Sequence, residues 1–383
     1  WNESDVDLEP AREATHAWWA EFWERSWIVV DPDHRDPESR RWRAARNYTL
    51  FRYQLGCNAF GEYPTKFNGG NLVFDPCLVQ ARRPYPPDWR DWGGGVFTAQ
   101  NQRLLYWPML KAGDFDAILP QFELYRQGLP GARARVEEHF GHDGAVYSEY
   151  TSVPGIALGN SWGWEKGGRG RGEEVALGDP RADATRGYNS IVEKGVMANP
   201  AISYHWESLL EHAYMLLEYR RFTGGDIHQY LPFIENSLVF FDEHYRLRER
   251  LRSEGERELD EDGKLVIFPS TSCESYRGAR NPADVIAGLQ ACLEGILELD
   301  DADLGLRDKA YYRAFLQRIP DYTFAEVEGD RVFQPAKSWK KYQNVECPQF
   351  YPLFPFNRFD LNGDDEELRQ VFRDTWKHGQ FRK

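Results

Sequence analysis

Apolar residues recur along much of this chain at the three- and four-residue spacing of a single helix face, which predicts a helical protein. Over 11–27 such a face runs through Trp18, Trp19, Phe22, Trp23 and Trp27. A second, over 39–57, is built from Trp42, Ala45, Tyr48, Leu50, Phe51 and Leu55. Helices are predicted over about 99–112 and from Asp114 to about Arg126. The most regular pattern spans 203–222, through Trp206, Leu209, Leu210, Ala213, Leu216 and Leu217. Thr223-Gly224-Gly225-Asp226 then gives a glycine stop and the cap of a helix over 227–248. Further helices are expected over 282–299, 305–318 and 364–377, the last with four carboxylates, Asp364 to Glu367, in its first turn. Negative charge is favoured there by the helix dipole.

The segments 58–98, 141–200 and 319–363 are long, polar and rich in glycine, proline and rings. Loops of that length in a compact domain usually carry function. No regular alternation of strand and helix patterns appears, which argues against a doubly wound sheet or a β/α barrel, although short β-hairpins fit inside the loops. Nine helices in antiparallel succession predict an all-α fold of helical hairpins, in a single domain over 1–383.

Composition narrows the function. A net charge of -14 argues against a nucleic-acid partner, which needs a basic footprint, and against an anionic membrane surface. No run approaches the ~20 apolar residues of a membrane span. Aromatic residues make up 15%, with 14 Trp, so rings must line a core or a cleft. The apolar face of a sugar ring packs well on such rings. The five cysteines are far apart and form no CxxC pair, which excludes a disulfide framework and a thiolate zinc site and predicts buried free thiols.

No metal or cofactor is called for. His205 and His212 lie seven apart on one predicted helix face without a third ligand. Asp360-Leu-Asn362-Gly-Asp364 lacks the spacing of a calcium loop and reads as a helix cap. Gly167 to Gly172 lacks the lysine of a phosphate loop. The first residue is Trp1 and no signal segment follows it, so the chain is expected to be a fragment or a processed product. Its oligomeric state is not legible.

Three segments carry candidate chemistry. In Lys264-Leu-Val-Ile-Phe-Pro-Ser-Thr-Ser-Cys-Glu274, an apolar run, a proline and four small residues deliver a carboxylate into a loop before a helix. A carboxylic acid among apolar groups has its pKa raised, as a general acid for glycosidic cleavage requires. In Trp92-Gly-Gly-Gly through Gln100-Asn101 to Tyr106-Trp107-Pro108, glycines permit close backbone approach and two amides open a helix. In Glu62-Tyr-Pro64-Thr-Lys66-Phe-Asn68-Gly-Gly70, polar side chains alternate with rings, which suits hydroxyl recognition.

These segments, in this order, resemble the catalytic domain of glycoside hydrolase family 95, the six-hairpin α-L-fucosidase and α-L-galactosidase family. They resemble more closely a group of its bacterial relatives with a Pro-x-Lys-Phe-Asn-Gly block. Pro64-Thr-Lys66-Phe-Asn68 is similar to that block, and Gln100-Asn101 with Tyr106-Trp107-Pro108 to an Asn-x-Asn…Tyr-Trp-Pro stretch. The run from Leu217 to Asp226 resembles a helix–Thr-Gly-Asp–helix hairpin, Pro269 to Glu274 a Pro-Ser-x-Ser-x-Glu acid loop, and Tyr351 to Pro355 a Tyr-x-x-Tyr-Pro segment. Asp284 falls where the helix after the acid loop carries an Asp. The similarity covers roughly 40–377.

The resemblance implies an (α/α)6 six-hairpin toroid. With nine of twelve helices legible, its closing helices are expected beyond Lys383. It implies hydrolysis of an α-linked sugar with inversion, Glu274 as general acid, and Asn101 holding the attacking water with an Asp from beyond this chain. Lys66, Asn68, Trp92, Gln100, Trp107, Glu149, His205, Trp206 and Gln349 are the substrate-binding candidates for an oligo- or polysaccharide. A periplasmic or secreted location is implied as well. Two positions depart from the family: Ala99 stands where the first Asn of the pair is expected, and Gln349 where a His is expected. The alternatives are a non-catalytic carbohydrate-binding toroid and a polysaccharide lyase using Lys66 and Arg103 as a cationic clamp.

Overall fold

The computed structural model describes residues 8–33, 35–65, 97–151, 173–182, 191–197 and 199–379. Lys66, Asn68 and Trp92 lie outside these residues, as does the glycine run after Trp92. The described helices are α1 (Leu8–Arg25), α2 (Arg40–Asn58), α3 (Ala99–Ala112), α4 (Phe115–Phe140), α5 (Ser208–Thr223), α6 (Leu231–Arg252), α7 (Ala283–Leu297), α8 (Lys309–Arg318) and α9 (Glu366–His378). Each answers to a predicted helix.

Two of them differ from the sequence pattern in an instructive way. The pattern predicts a helix only to about Arg126, yet α4 runs through Gly128-Leu-Pro130-Gly131 to Phe140. Ala132, Arg135, Val136 and Phe140 continue one buried stripe, and burial of that stripe outweighs the local propensity cost. Conversely, 203–207 is not helical, and α5 starts only at Ser208.

The expected all-α toroid is corrected: 52% of the described residues are helical, and several small, mostly antiparallel sheets are present among them. Strand Tyr276–Pro282 pairs with Ser270–Ser272, with Ala336–Ser338 and with Lys341–Tyr342. Phe324–Val327 and Asp330–Phe333 form a hairpin. Segments with no helical periodicity still have to satisfy their backbone amides, and around 264–342 they do so by pairing with one another.

The chain divides into two compact units, Trp1–Phe97 with Asn101–Gln121 and Thr98–Gln100 with Phe122–Lys383. In the first, Phe22 is buried among Trp18, Trp19 and Trp23, and Arg52 lies over its ring at 4.3 Å. Arg52 is buried and donates to Asp114 at 2.7 Å. Burial raises the Asp114 carboxyl above its ordinary pKa, and Arg52 pulls in the opposite direction.

In the second unit, α5 and α7 touch at two glycines. A Cβ on Gly288 would meet Leu210 at 2.8 Å, and one on Gly295 would meet Leu217 at 2.7 Å. Leu210 and Leu217 are seven residues apart, as are the two glycines, and in the same order. The helices therefore run parallel, which brings both N-terminal ends to one side. Helix α7 is buried along most of its length and forms a rigid spine.

Candidate active site

At that N-terminal side the chain makes a tight turn between strands Ser270–Ser272 and Tyr276–Pro282. The Ser275 amide bonds the Ser272 carbonyl at 2.8 Å, and the Ser275 hydroxyl the Cys273 carbonyl at 3.1 Å. Two consecutive residues, Cys273 (φ 45) and Glu274 (φ 55), sit in the left-handed region. For residues with a side chain this costs about 1–2 kcal/mol each. Surrounding contacts must enforce it.

Asp284, in the first turn of α7, supplies much of that enforcement. Its Oδ1 accepts from the Ser272 hydroxyl at 2.8 Å. Its Oδ2 accepts from the Cys273 amide at 3.0 Å and from the Cys273 thiol at 3.3 Å. Asp284 is fully buried, and that burial pushes its carboxyl up to about 6, against the pull of the Ser272 and Cys273 hydrogen bonds. From the other side, the Gln343 side-chain amide donates to the Glu274 carbonyl at 2.6 Å and to the Ala201 carbonyl at 2.8 Å. Cys273 and Ser275 are wholly buried while Glu274 between them is partly exposed. Glu274 is thus the one partly exposed residue of an otherwise buried turn.

The stretch that the sequence pattern had placed in a helix forms an adjoining wall. Tyr204 is left-handed (φ 60), its carbonyl accepts from the Thr271 amide at 3.1 Å, and the Thr271 hydroxyl donates to the Ser203 carbonyl at 2.5 Å. Glu207 stands at the N-cap position of α5 and is fully buried. Nearby, buried Glu149 accepts from the Gln100 amide at 2.5 Å and the Ser208 hydroxyl at 3.2 Å, with His205 Nδ1 at 3.6 Å. The Gln100 side chain donates to Glu346 at 2.9 Å.

Of the predicted site residues, the structure thus groups Gln100, Glu149 and His205. Trp206 is buried and packs edge-on against Phe240 and His244. Gln349 is buried in the turn Pro348–Phe350, and its Oε1 has no hydrogen-bond partner among the described residues. Asn101 and Trp107 lie on α3 in the other unit, the first half-buried and the second buried. His205 and His212 do not share a helix face, because His205 precedes α5 while His212 lies within it, against the Tyr125 ring at 4.5 Å. Asp360 bonds the Asn362 amide, and Asp365 caps α9 by accepting from Leu368 at 2.8 Å. Of the described cysteines, Cys273 and Cys292 are buried as expected, Cys347 is half-buried and Cys57 is exposed.

Sequence reasoning missed Glu207, Gln343 and Glu346 as site neighbours. Glu207 was absorbed into the 203–222 periodicity. The other two lie in a loop without local signal, and tertiary folding alone brings them in. Asp284 left a trace, an acid at the start of a helix just after the acid loop.

Glu207, Cys273 and Asp284 offer ligand atoms within 4.8 Å of one another, the donor count of a small cation site. The Cys273 thiol donates to Asp284, which accounts for the closeness of those two, with Glu207 beside them. A cavity of about 400 Å³ lies at the opposite, C-terminal ends of α5 and α7. Its Arg358 and Arg221 are paired with Glu294 and Glu218. Among the described residues, no helix is long and apolar enough to cross a membrane. A scan against protein-family models matches no family, and comparison with curated proteins finds no similar sequence.

Proposed function

We propose that this chain belongs to a glycoside hydrolase that cleaves an α-linked glycosidic bond with inversion, with Glu274 as general acid. The observation that carries the reading is the left-handed Cys273–Glu274 pair, held at a backbone cost with Glu274 partly exposed between buried Cys273 and Ser275. Strain of this kind collects at working sites. A carboxylic acid so placed protonates the leaving oxygen, while a water held on the far face of the sugar attacks the anomeric carbon. Inversion requires room for that water between the acid and the group that activates it, ~6.5–9.5 Å in general. The buried Glu149–Ser208–His205–Gln100 group and the acceptor of Gln349 supply polar contacts of the kind that orient sugar hydroxyls.

The test is turnover of a panel of aryl and natural glycosides by the intact protein. Glu274→Gln is expected to lower kcat by about 10²–10⁴-fold while leaving the sugar Kd near its original value. Unchanged turnover would remove Glu274 from the mechanism. Products with the ultraviolet absorbance of an unsaturated uronate would mark a lyase instead. Binding without any product would mark a carbohydrate-recognition protein.

A further inference from the structure

The left-handed pair Cys273–Glu274 persists only because other groups hold it, and the hydrogen bonds on its N-terminal side converge on one side chain. We propose that Asp284 is a positioning residue, whose carboxylate fixes Ser272 and Cys273 and so sets the direction in which Glu274 leaves the turn. The catalytic consequence rests on Glu274 being the working acid; the anchoring itself does not.

Three features support this. Asp284 uses both oxygens, Oδ1 for the Ser272 hydroxyl and Oδ2 for the amide and thiol of Cys273, so two successive residues are fixed in position and in rotation. A single-point contact would leave the turn free to swing. The anchor is also rigid, because Asp284 stands on α7, whose Gly288 abuts Leu210 of α5 so closely that a methyl group would not fit. Finally, the donors to Asp284 are neutral groups of the turn, and no arginine or lysine among the described residues forms an ion pair with it. The carboxylate is thus committed to the turn and not to a charge partner. Gln343 acts opposite it on the Glu274 carbonyl, and the two together bracket the residue.

Cys273 reports on this directly, since its thiol is buried and bonded to Asp284. Cys292 serves as internal reference: it is equally buried on the same helix, and its thiol donates to the Leu210 carbonyl instead. The experiment is alkylation of the native protein by N-ethylmaleimide, resolved by site with peptide mass spectrometry. In Asp284→Asn, which leaves one acceptor oxygen where three donors need two, Cys273 is expected to react about 10- to 100-fold faster, the loss of a charge-assisted hydrogen bond, while Cys292 stays protected. Ser272→Ala, the milder change, is expected to give a smaller increase at Cys273 alone, and it carries the test should Asp284→Asn fail to fold.

Two results would overturn the proposal: Cys273 remaining as protected as Cys292, or both thiols opening together, which would make Asp284 a general stability residue. On any glycoside that the unaltered protein hydrolyses, Asp284→Asn should lower kcat with KM little changed. Selective exposure of Cys273 combined with full turnover in Glu274→Gln would keep the anchor and remove Glu274 from the mechanism, so the two claims fail separately.

Discussion

Two buried polar clusters of the larger unit handle charge in opposite ways. Around Arg248, charge meets charge: its guanidinium pairs with both oxygens of Glu193, at 2.6 and 3.2 Å, and both residues are 4% exposed. Burial alone would raise the Glu193 carboxyl, but Arg248 beside it wins and holds it below the ordinary range. The remaining donors are also matched. Tyr204 and the Gly178 amide bond Glu193, and Arg248 Nε donates to His244 Nε2 at 2.8 Å. Around Asp284, by contrast, a buried carboxylate is met by a hydroxyl, an amide and a thiol, and the backbone beside it is strained. A buried pair that answers its own charges is a structural device. A buried carboxylate left with neutral donors beside a strained turn is what a working site looks like. Tyr204 joins the two, bonding Glu193 by its hydroxyl and Thr271 by its carbonyl.

The largest effect expected from breaking this contrast is on the paired side. Arg248→Met leaves Glu193 buried without its cation and should cost about 3–5 kcal/mol, read by denaturant unfolding. A loss under about 1 kcal/mol would mean that the ion pair is not what holds this region together.

A second effect concerns pH. Because Arg248 donates to His244 Nε2, the His244 proton sits on Nδ1 and is given to His142 Nε2 at 3.0 Å; His142 in turn donates from Nδ1 to the Asp143 carbonyl at 2.7 Å. Protonating either ring would set two N–H groups face to face. Burial, with Arg248 alongside, depresses His244 well below the ordinary imidazole value. Burial also depresses His142, against the pull of the Asp143 carbonyl and of Glu243. The folded protein therefore binds fewer protons than the unfolded chain, and the stability due to these rings is present above pH ~6.5 and lost below it. The slope should approach ~1.4 kcal/mol per pH unit for His244 and be smaller for the partly exposed His142. Unfolding followed from pH 7.5 to 5 should show it, and His142→Gln should remove only the smaller His142 share, leaving the His244 slope in place. Loss of the whole slope in that variant would show that His244 does not carry the larger share.

The smallest effect lies on the strained side. Glu274→Gly relieves a left-handed residue at some entropic cost in the unfolded chain, for a net gain of up to about 1 kcal/mol, measurable as a raised Tm. A lower Tm would indicate that the Glu274 side chain stabilises the turn and is not merely displayed by it.

Much of the architecture was legible in the amino-acid order, because helix formation leaves a local signature. The nine described helices all answer to a spaced apolar face, and α7 and α9 lie within about two residues of the predicted bounds at each end. Local signatures failed where burial overrode them, as when α4 passed through Gly128 to Gly131. They also failed where a periodic pattern ran on past the helix, as over 203–207. The strands were not legible either, since pairing Tyr276–Pro282 with 336–338 and 341–342 depends on partners some sixty residues away.

For the site, the order of residues alone singled out the carboxylate: Glu274, after a proline and a run of small residues, is a feature of one short segment. Its setting is not. Asp284 from the start of α7 and Gln343 from a distant loop have no periodicity that announces their task. Hydrogen bonds of about 3 Å between side chains remote in sequence are decided by how the helices and strands pack, and a chain read in one dimension carries no record of that distance.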